Sequence, residues 1–130
     1  MAHGAFIWNE LMTPDVEKAK AFYAASLGWT YDAMPSLGGS TYWIAKMDGR
    51  PVAGMISHAD LPPGVSTAWF AYIEVDDVDA CAAALPVQGG ALARPAFDIP
   101  GVGRIAIVQD ATGAMVGWLT PVMPAPPAAG

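Results

Sequence analysis

The sequence predicts an α+β fold built from two tandem βαβββ modules whose mixed sheets border a cleft. Two observations carry this. The first is a duplication. Phe6-Ile7-Trp8-Asn9-Glu10-Leu11 runs into Thr13-Pro14-Asp15-Val16, and Trp69-Phe70-Ala71-Tyr72-Ile73-Glu74-Val75 runs into Asp76-Asp77-Val78, with Asp15-Val16 and Asp77-Val78 62 positions apart in a chain of 130 residues. The second is that each copy leads into the same succession: a helix-like stretch, then three short β-rich runs separated by glycine-bearing turns. A lone four-stranded sheet under one helix keeps an open edge and a bare face. Pairing two such modules, within one chain or between chains, covers part of both.

Phe6 to Leu11 alternates and is rich in β-formers, so it is a strand. Thr13 is placed to cap the next helix, Pro14 suits its first position, and Asp15 and Glu17 suit its positive end. Val16, Ala19, Phe22, Tyr23 and Leu27 give an apolar stripe at helical spacing, and Gly28 ends the helix. Strands are expected near Trp29 to Met34, Ser40 to Met47 and Pro51 to Ser57, with turns at Gly38-Gly39 and Asp48-Gly49. Leu61-Pro62-Pro63-Gly64 reads as a linker. In the second copy, Ala68 to Val75 is a strand and Asp76 to Leu85 a helix whose Asp76 and Asp79 resemble a capping box. Strands near Ala91 to Phe97, Gly103 to Gln109 and Ala114 to Thr120 complete it. The expected organisation is one domain, 1–130, made of modules 5–60 and 66–121 with a Pro/Ala-rich tail, 122–130.

Composition limits the partners. The hydrophobic fraction of 54% suffices for a core. A formal net charge of −6 argues against nucleic acid and against an anionic membrane surface. Cys81 is the only cysteine, set among alanines, and reads as a small core residue; no intrachain disulfide can form. The sequence begins without a basic segment leading into an apolar run, and no stretch reaches transmembrane length, so a cytoplasmic location is expected. No Ser-His-Asp set, phosphate-cradling loop or Cys-His zinc spacing occurs.

The run Asp15, Val16, Ala21, Phe22, Tyr23, Leu27, Gly28, Trp29 resembles the vicinal oxygen chelate superfamily of glyoxalase, bleomycin-resistance and extradiol dioxygenase proteins. The Val75-Asp76-Asp77-Val78 start and the Asp110-Ala111-Thr112-Gly113 turn add to the likeness, which spans about residues 5 to 120. Trp8-Asn9-Glu10-Leu11 and Pro100-Gly101-Val102-Gly103-Arg104-Ile105 are similar to a glyoxalase-like group within it. The resemblance implies the glyoxalase/bleomycin-resistance fold and four cleft positions, one in the first and one in the last strand of each module. In metal-dependent members these are His, Glu or Gln. Counting from the helix starts and final turns puts them on Trp8, Gly54, Phe70 and Gly117, none of which offers a donor to a divalent cation. His3 precedes the first strand, and His58 lies past the fourth, beside Asp60. The expectation is a retained scaffold with no metal and no cofactor.

Side chains alternate along strands, so Phe6, Trp8 and Glu10 share one face and Phe70, Tyr72 and Glu74 another. These mixed aromatic and acidic faces are expected to line the cleft with Gly54, Gly117 and Met115, the two glycines leaving room at its floor. Tyr42 and Trp43 face opposite ways, so only one sees the cleft, and Trp43 is assigned to it. Such a pocket suits a flat, mostly apolar small molecule, although Trp8 and Phe70 could instead pack together and close it. Glu10 is the candidate catalytic residue. Aromatic neighbours would raise its pKa and fit it to act as a base beside a carbonyl. Pairing with Arg104 in a bridge or ligand clamp, and a solvated rim position, are the alternatives. Asp98 reads as a turn residue.

The leading expectation is therefore a metal-free protein that binds a small organic ligand or substrate, with lyase- or isomerase-type chemistry through Glu10 as an option. It is expected to form a homodimer. The alternatives are a metal-dependent lyase, isomerase or dioxygenase whose ligands lie elsewhere, and a non-catalytic protein-interaction module.

Overall fold

Both copies of the repeat fold into β-α-β-β-β. The computed structural model describes residues 3–35, 39–99 and 102–122. Among them the order is β1 (Phe6–Thr13), α1 (Val16–Leu27), β2 (Thr30–Pro35), β3 (Thr41–Met47), β4 (Arg50–Ser57), β5 (Ala68–Glu74), α2 (Val78–Ala84), β6 (Ala91–Ile99), β7 (Gly103–Gln109) and β8 (Met115–Pro121). The expected tail beyond residue 122, Gly38 in the first turn and the Pro100-Gly101 part of the late motif lie outside the described residues. None of the described helices is long and apolar enough to cross a membrane. The chain divides into two compact units, 8–71 and 1–7 with 72–130.

In the first unit the strand order is β2-β3-β4-β1. β1 runs parallel to β4, and the other pairs are antiparallel. Leu11 and Trp43 both pair with Met55, and Ala45 pairs with Ala53, so these residues share one face. Leu11, Ala45, Ala53 and Met55 are buried there. Helix α1 covers this face: the Tyr31 hydroxyl donates to the Lys20 carbonyl at 3.0 Å, and the Lys20 ammonium sits 3.2 Å from the Trp43 ring centroid.

The start of α1 differs from the expectation. Its cap is Asp15, whose carboxylate accepts from the Lys18 N–H at 3.0 Å. Thr13 acts one step earlier, taking the Asp15 N–H on its hydroxyl at 3.2 Å, which leaves Pro14 outside the helix. Gly28 closes α1 with φ +75°. The apolar stripe does not become a buried stripe. No α1 residue is fully buried, and Phe22 is 61% exposed. The aromatic residues associate instead: Tyr23 stacks on Trp29, and Trp69 donates its indole N–H to the Tyr23 hydroxyl at 3.1 Å.

The second unit has the order β5-β8-β7-β6, with β5 parallel to β8 and the rest antiparallel. Val75, Val78, Leu85, Ala106 and Val108 form its core under α2, with Cys81, Val116 and Trp118 packed against them. The cap of α2 is Asp77, not Asp76; its carboxylate accepts from the N–H groups of Asp79 and Ala80. Asp110 organises the last turn by accepting from Thr112 and Ala114.

Candidate functional site

The first unit turns a polar cluster away from α1. Glu10 pairs directly with Gly54 across the parallel β1–β4 ladder, and Ile44 pairs with Gly54 from the other side. Strand alternation puts Trp8 and Glu10 on one face of β1, and Tyr42, two residues from Ile44, on the same face of β3. The Tyr42 phenol lies over Gly54, where a Cβ would collide with its hydroxyl and ring. The Trp8 indole N–H donates to the Tyr42 oxygen at 3.0 Å. The phenol in turn shares a hydrogen bond with the Glu10 carboxylate. Burial first, and then the Glu10 charge, push the Tyr42 pKa far above the ordinary phenol value. At ordinary pH Tyr42 is therefore a protonated donor facing a carboxylate.

The second unit places a tyrosine over the corresponding glycine by a different route. Tyr72 pairs directly with Gly117 across β5–β8, and a Cβ on Gly117 would strike the body of the Tyr72 ring. Tyr72 is buried. Ile107 pairs with Gly117 from the other side, Ile105 pairs with Leu119, and Glu74 pairs with Leu119 across β5–β8, so the isoleucines and Leu119 share this face with a carboxylate.

These positions correct several expectations. Gly54 and Gly117 do not leave empty space, because tyrosine rings occupy it. Trp43 does not share the face of Trp8 and Gly54; it lies beneath Lys20 on the α1 side, and Tyr42 takes the other face. Register counted back from the Asp48-Gly49 hairpin would set Trp43 opposite Gly54; a bulge between Ala45 and Lys46 shifts the pairing by one, brings Ile44 opposite Gly54 and so turns Tyr42 to that face. Arg104 engages carboxylates of its own unit. It is bidentate to Asp79, at 2.8 and 3.1 Å, and contacts Asp98 at 3.2 Å; Asp98 is not a turn residue but lies in β6, directly paired with Arg104. These two carboxylates hold the guanidinium above its usual range, and Arg104 holds the Asp79 carboxyl below its own. Of the remaining expected residues, Tyr72 and Gly117 are brought together in the second unit, Met115 is exposed, and Phe70 is half-buried on β5. His58 opens a short 3-10 turn with its Nε2 buried and without a hydrogen-bond partner, and His3 accepts the Asp76 N–H at 2.9 Å.

The fold family implies a divalent cation, and the donor chemistry can be set against it. Trp8, Gly54, Phe70 and Gly117 supply no oxygen, imidazole or thiolate. On the same face of the first unit, the side-chain oxygens of Glu10 and Tyr42 are bonded to each other, with the phenol protonated. Among the described residues, no group of three or more His, Cys, Asp or Glu side chains is placed to hold a metal ion. This residue set does not fit the ion.

The fold and the paired glycine positions define the class, and the comparisons give it a name. The model of the Glyoxalase/Bleomycin resistance protein/Dioxygenase superfamily matches residues 5–117, and the chain belongs to that superfamily. Among curated proteins it is similar to CFP32 of Mycobacterium tuberculosis, whose glyoxylase name is itself provisional: 39% identity over 118 residues, covering 91% of this chain and 44% of that protein. It is also similar to the anthracycline biosynthesis protein DnrV of Streptomyces peucetius, with 30% identity over 135 residues, covering 94% of this chain and 49% of that one. The chain thus spans less than half the length of these relatives. Among solved structures, methylmalonyl-CoA epimerase from Mycobacterium tuberculosis superposes with a TM-score of 0.65 at 18% identity, over 92% of this chain and 89% of that one. The Streptomyces coelicolor methylmalonyl-CoA epimerase in complex with 2-nitronate-propionyl-CoA gives 0.68 at 16% identity, over 96% and 99%. At these identities the likeness establishes the fold.

Proposed function

We propose that this protein binds a small, flat, mostly apolar organic molecule against the Trp8–Glu10–Tyr42 face of its first module, without a metal ion, and that Glu10 serves there as hydrogen-bond acceptor or general base. The observation that carries the reading is the Glu10 carboxylate set beside an indole and a protonated phenol. Aromatic surface supplies stacking and area burial, and a carboxylate beside it can accept a ligand N–H or O–H, or remove a proton next to a carbonyl. The non-ligating residues at the four counted positions support the metal-free part. The names of the relatives, one a glyoxylase and one a protein of anthracycline biosynthesis, are in keeping with small organic substrates.

Tryptophan fluorescence tests this. A panel of planar carbonyl compounds is titrated into the wild type and Trp8→Phe. Saturable quenching that is lost in Trp8→Phe is expected. Equal quenching in both, or none from any compound, contradicts the reading. Glu10→Gln should leave a folded protein that no longer exchanges the α-proton of a bound carbonyl compound with deuterium.

One observation favours a second reading. Tyrosine rings fill the space over both Gly54 and Gly117, so each face can be simply packed and the protein can act through macromolecular contacts. That version expects no quenching from any member of the panel. In either case we propose a cytoplasmic homodimer, consistent with a single cysteine and with strongly exposed outer strands β2 and β6. Sedimentation showing only monomer at micromolar concentration would contradict the dimer.

A further inference from the structure

We propose that Tyr42 is a positioning residue for Glu10, oriented by Trp8, and that position 54 is glycine in order to admit its phenol. The inference rests on the reading of Glu10 as the working carboxylate of the first module.

The direction of the chain of hydrogen bonds is set by the chemistry of its members. An indole N–H can only donate, and an ionised carboxylate can only accept. A phenol set between them must therefore receive from Trp8 and give to Glu10. The 3.0 Å bond from Trp8 fixes the approach to the phenol oxygen and so aims its proton at the carboxylate. Each bond polarises the next, so the phenol is a better donor to Glu10 with the indole attached than without it. Its protonation is secure, because burial and the Glu10 charge both oppose the phenolate. A glutamate side chain has three rotatable bonds and, with nothing to select among them, samples many positions. The phenol selects the positions in which one carboxylate oxygen meets its hydroxyl.

Gly54 is the structural condition for this arrangement. The Tyr42 hydroxyl and adjacent ring atoms occupy the volume that a Cβ at position 54 would need. Gly54 is also the residue directly paired with Glu10. Any larger residue there pushes the phenol away from the neighbouring carboxylate. A side chain projecting from position 54 and the Tyr42 phenol exclude one another, which gives the glycine at this counted position a physical reason.

Carboxyl 13C NMR tests the proposal directly. The chain has only three glutamates, Glu10, Glu17 and Glu74, so Glu10→Gln assigns the Glu10 resonance. A hydrogen bond given to the ionised form favours that form. In Tyr42→Phe the Glu10 midpoint should therefore rise, by about one unit or more, a tenfold or greater change in its ionisation constant. Gly54→Ala, which keeps the tyrosine but displaces it, should give a shift in the same direction. Trp8→Phe should give a smaller one. Glu17 and Glu74 should not move in any variant. If Tyr42→Phe titrates like the wild type at Glu10, or all three glutamates move together, the proposal is overturned. If Gly54→Ala does not fold, Tyr42→Phe and Trp8→Phe decide. The readout needs no ligand. A shifted midpoint with no quenching by the carbonyl panel would keep Tyr42 as the positioning residue and reject the proposed function. Quenching with an unshifted midpoint would do the reverse.

Discussion

The two modules place a tyrosine over the same kind of glycine and do so in opposite ways. In the first, Tyr42 comes from β3 and meets Gly54 with the hydroxyl end of its side chain, leaving the polar tip between Trp8 and Glu10. In the second, Tyr72 sits on the strand directly paired with Gly117, meets it with the body of its ring, and is 7% exposed beside a surface that carries Ile105, Ile107 and Leu119. Each last strand has a glycine at the equivalent point, and the tyrosine above it comes from a different strand position in each module. In the first arrangement the phenol meets a carboxylate, and in the second the ring body is buried against its glycine. The comparison sets a phenol tip over the first glycine and a buried ring body over the second.

The largest expected effect breaks the packing half. Tyr72→Ala should cost about 3–5 kcal/mol, as other buried ring deletions do, measured by urea unfolding. Tyr42→Ala, at a half-buried side chain, should cost clearly less. If the two deletions cost the same, the division of roles fails. The next test adds a methyl to each floor. Gly117→Ala should cost about 1–3 kcal/mol, because the ring body above it can leave only by changing its first torsion. Gly54→Ala should cost less, because a tilt of the far end of Tyr42 relieves the clash. The reverse order would remove the distinction between tip and body.

The pH dependence of stability should also divide between the modules. The Tyr42 pKa is raised in the fold, so its contribution is complete below the ordinary value of 10.0. It is lost as pH climbs above that value, where the unfolded phenol ionises and the folded one does not. Tyr42→Phe should flatten the alkaline limb. Tyr31 acts in the same direction in the same module, chiefly through burial. Cys81 is also raised by burial, in the second module, so the alkaline comparison belongs in a Cys81→Ala background. On the acid side the signs reverse. Hydrogen bonds from Thr112 and the turn backbone lower the Asp110 pKa below its ordinary 3.8. Its contribution is present above that value and disappears as pH falls through the lowered one. Asp110→Asn should flatten the acid limb and leave the alkaline limb alone. The smallest effect is expected from Arg104→Gln, since its bridge to Asp79 and Asp98 lies on the surface; the loss should shrink further at high salt.

The sequence carried most of the architecture because its signals were local. Repeated strand-to-acidic-helix junctions, the Gly28 cap and the Asp48-Gly49 and Asp110–Gly113 turns each act within a few residues. The α1 cap was legible only to within two residues, because Thr13 and Asp15 are both good acceptors and the backbone used them in succession. The site was harder, because its geometry depends on register. Alternation placed Trp8 and Glu10 together but could not choose between Tyr42 and Trp43. That choice depends on which β3 residue pairs with Gly54, a long-range fact. Volume was not legible at all. A glycine in a string of letters looks like space, and only the fold shows a ring from another strand in it. The carboxylates that Arg104 meets were not legible for the same reason: strand parity sends it toward Asp79 on α2.

The most direct measurement is equilibrium dialysis of the purified protein against Ni²⁺, Zn²⁺, Mn²⁺ and Fe²⁺, with Glu10→Gln and Tyr42→Phe alongside the wild type. A site given over to an indole, a phenol and a single carboxylate should take up none of these ions stoichiometrically, and the variants should not differ from the wild type. Tight one-to-one uptake by the wild type, weakened in Glu10→Gln, would contradict the account.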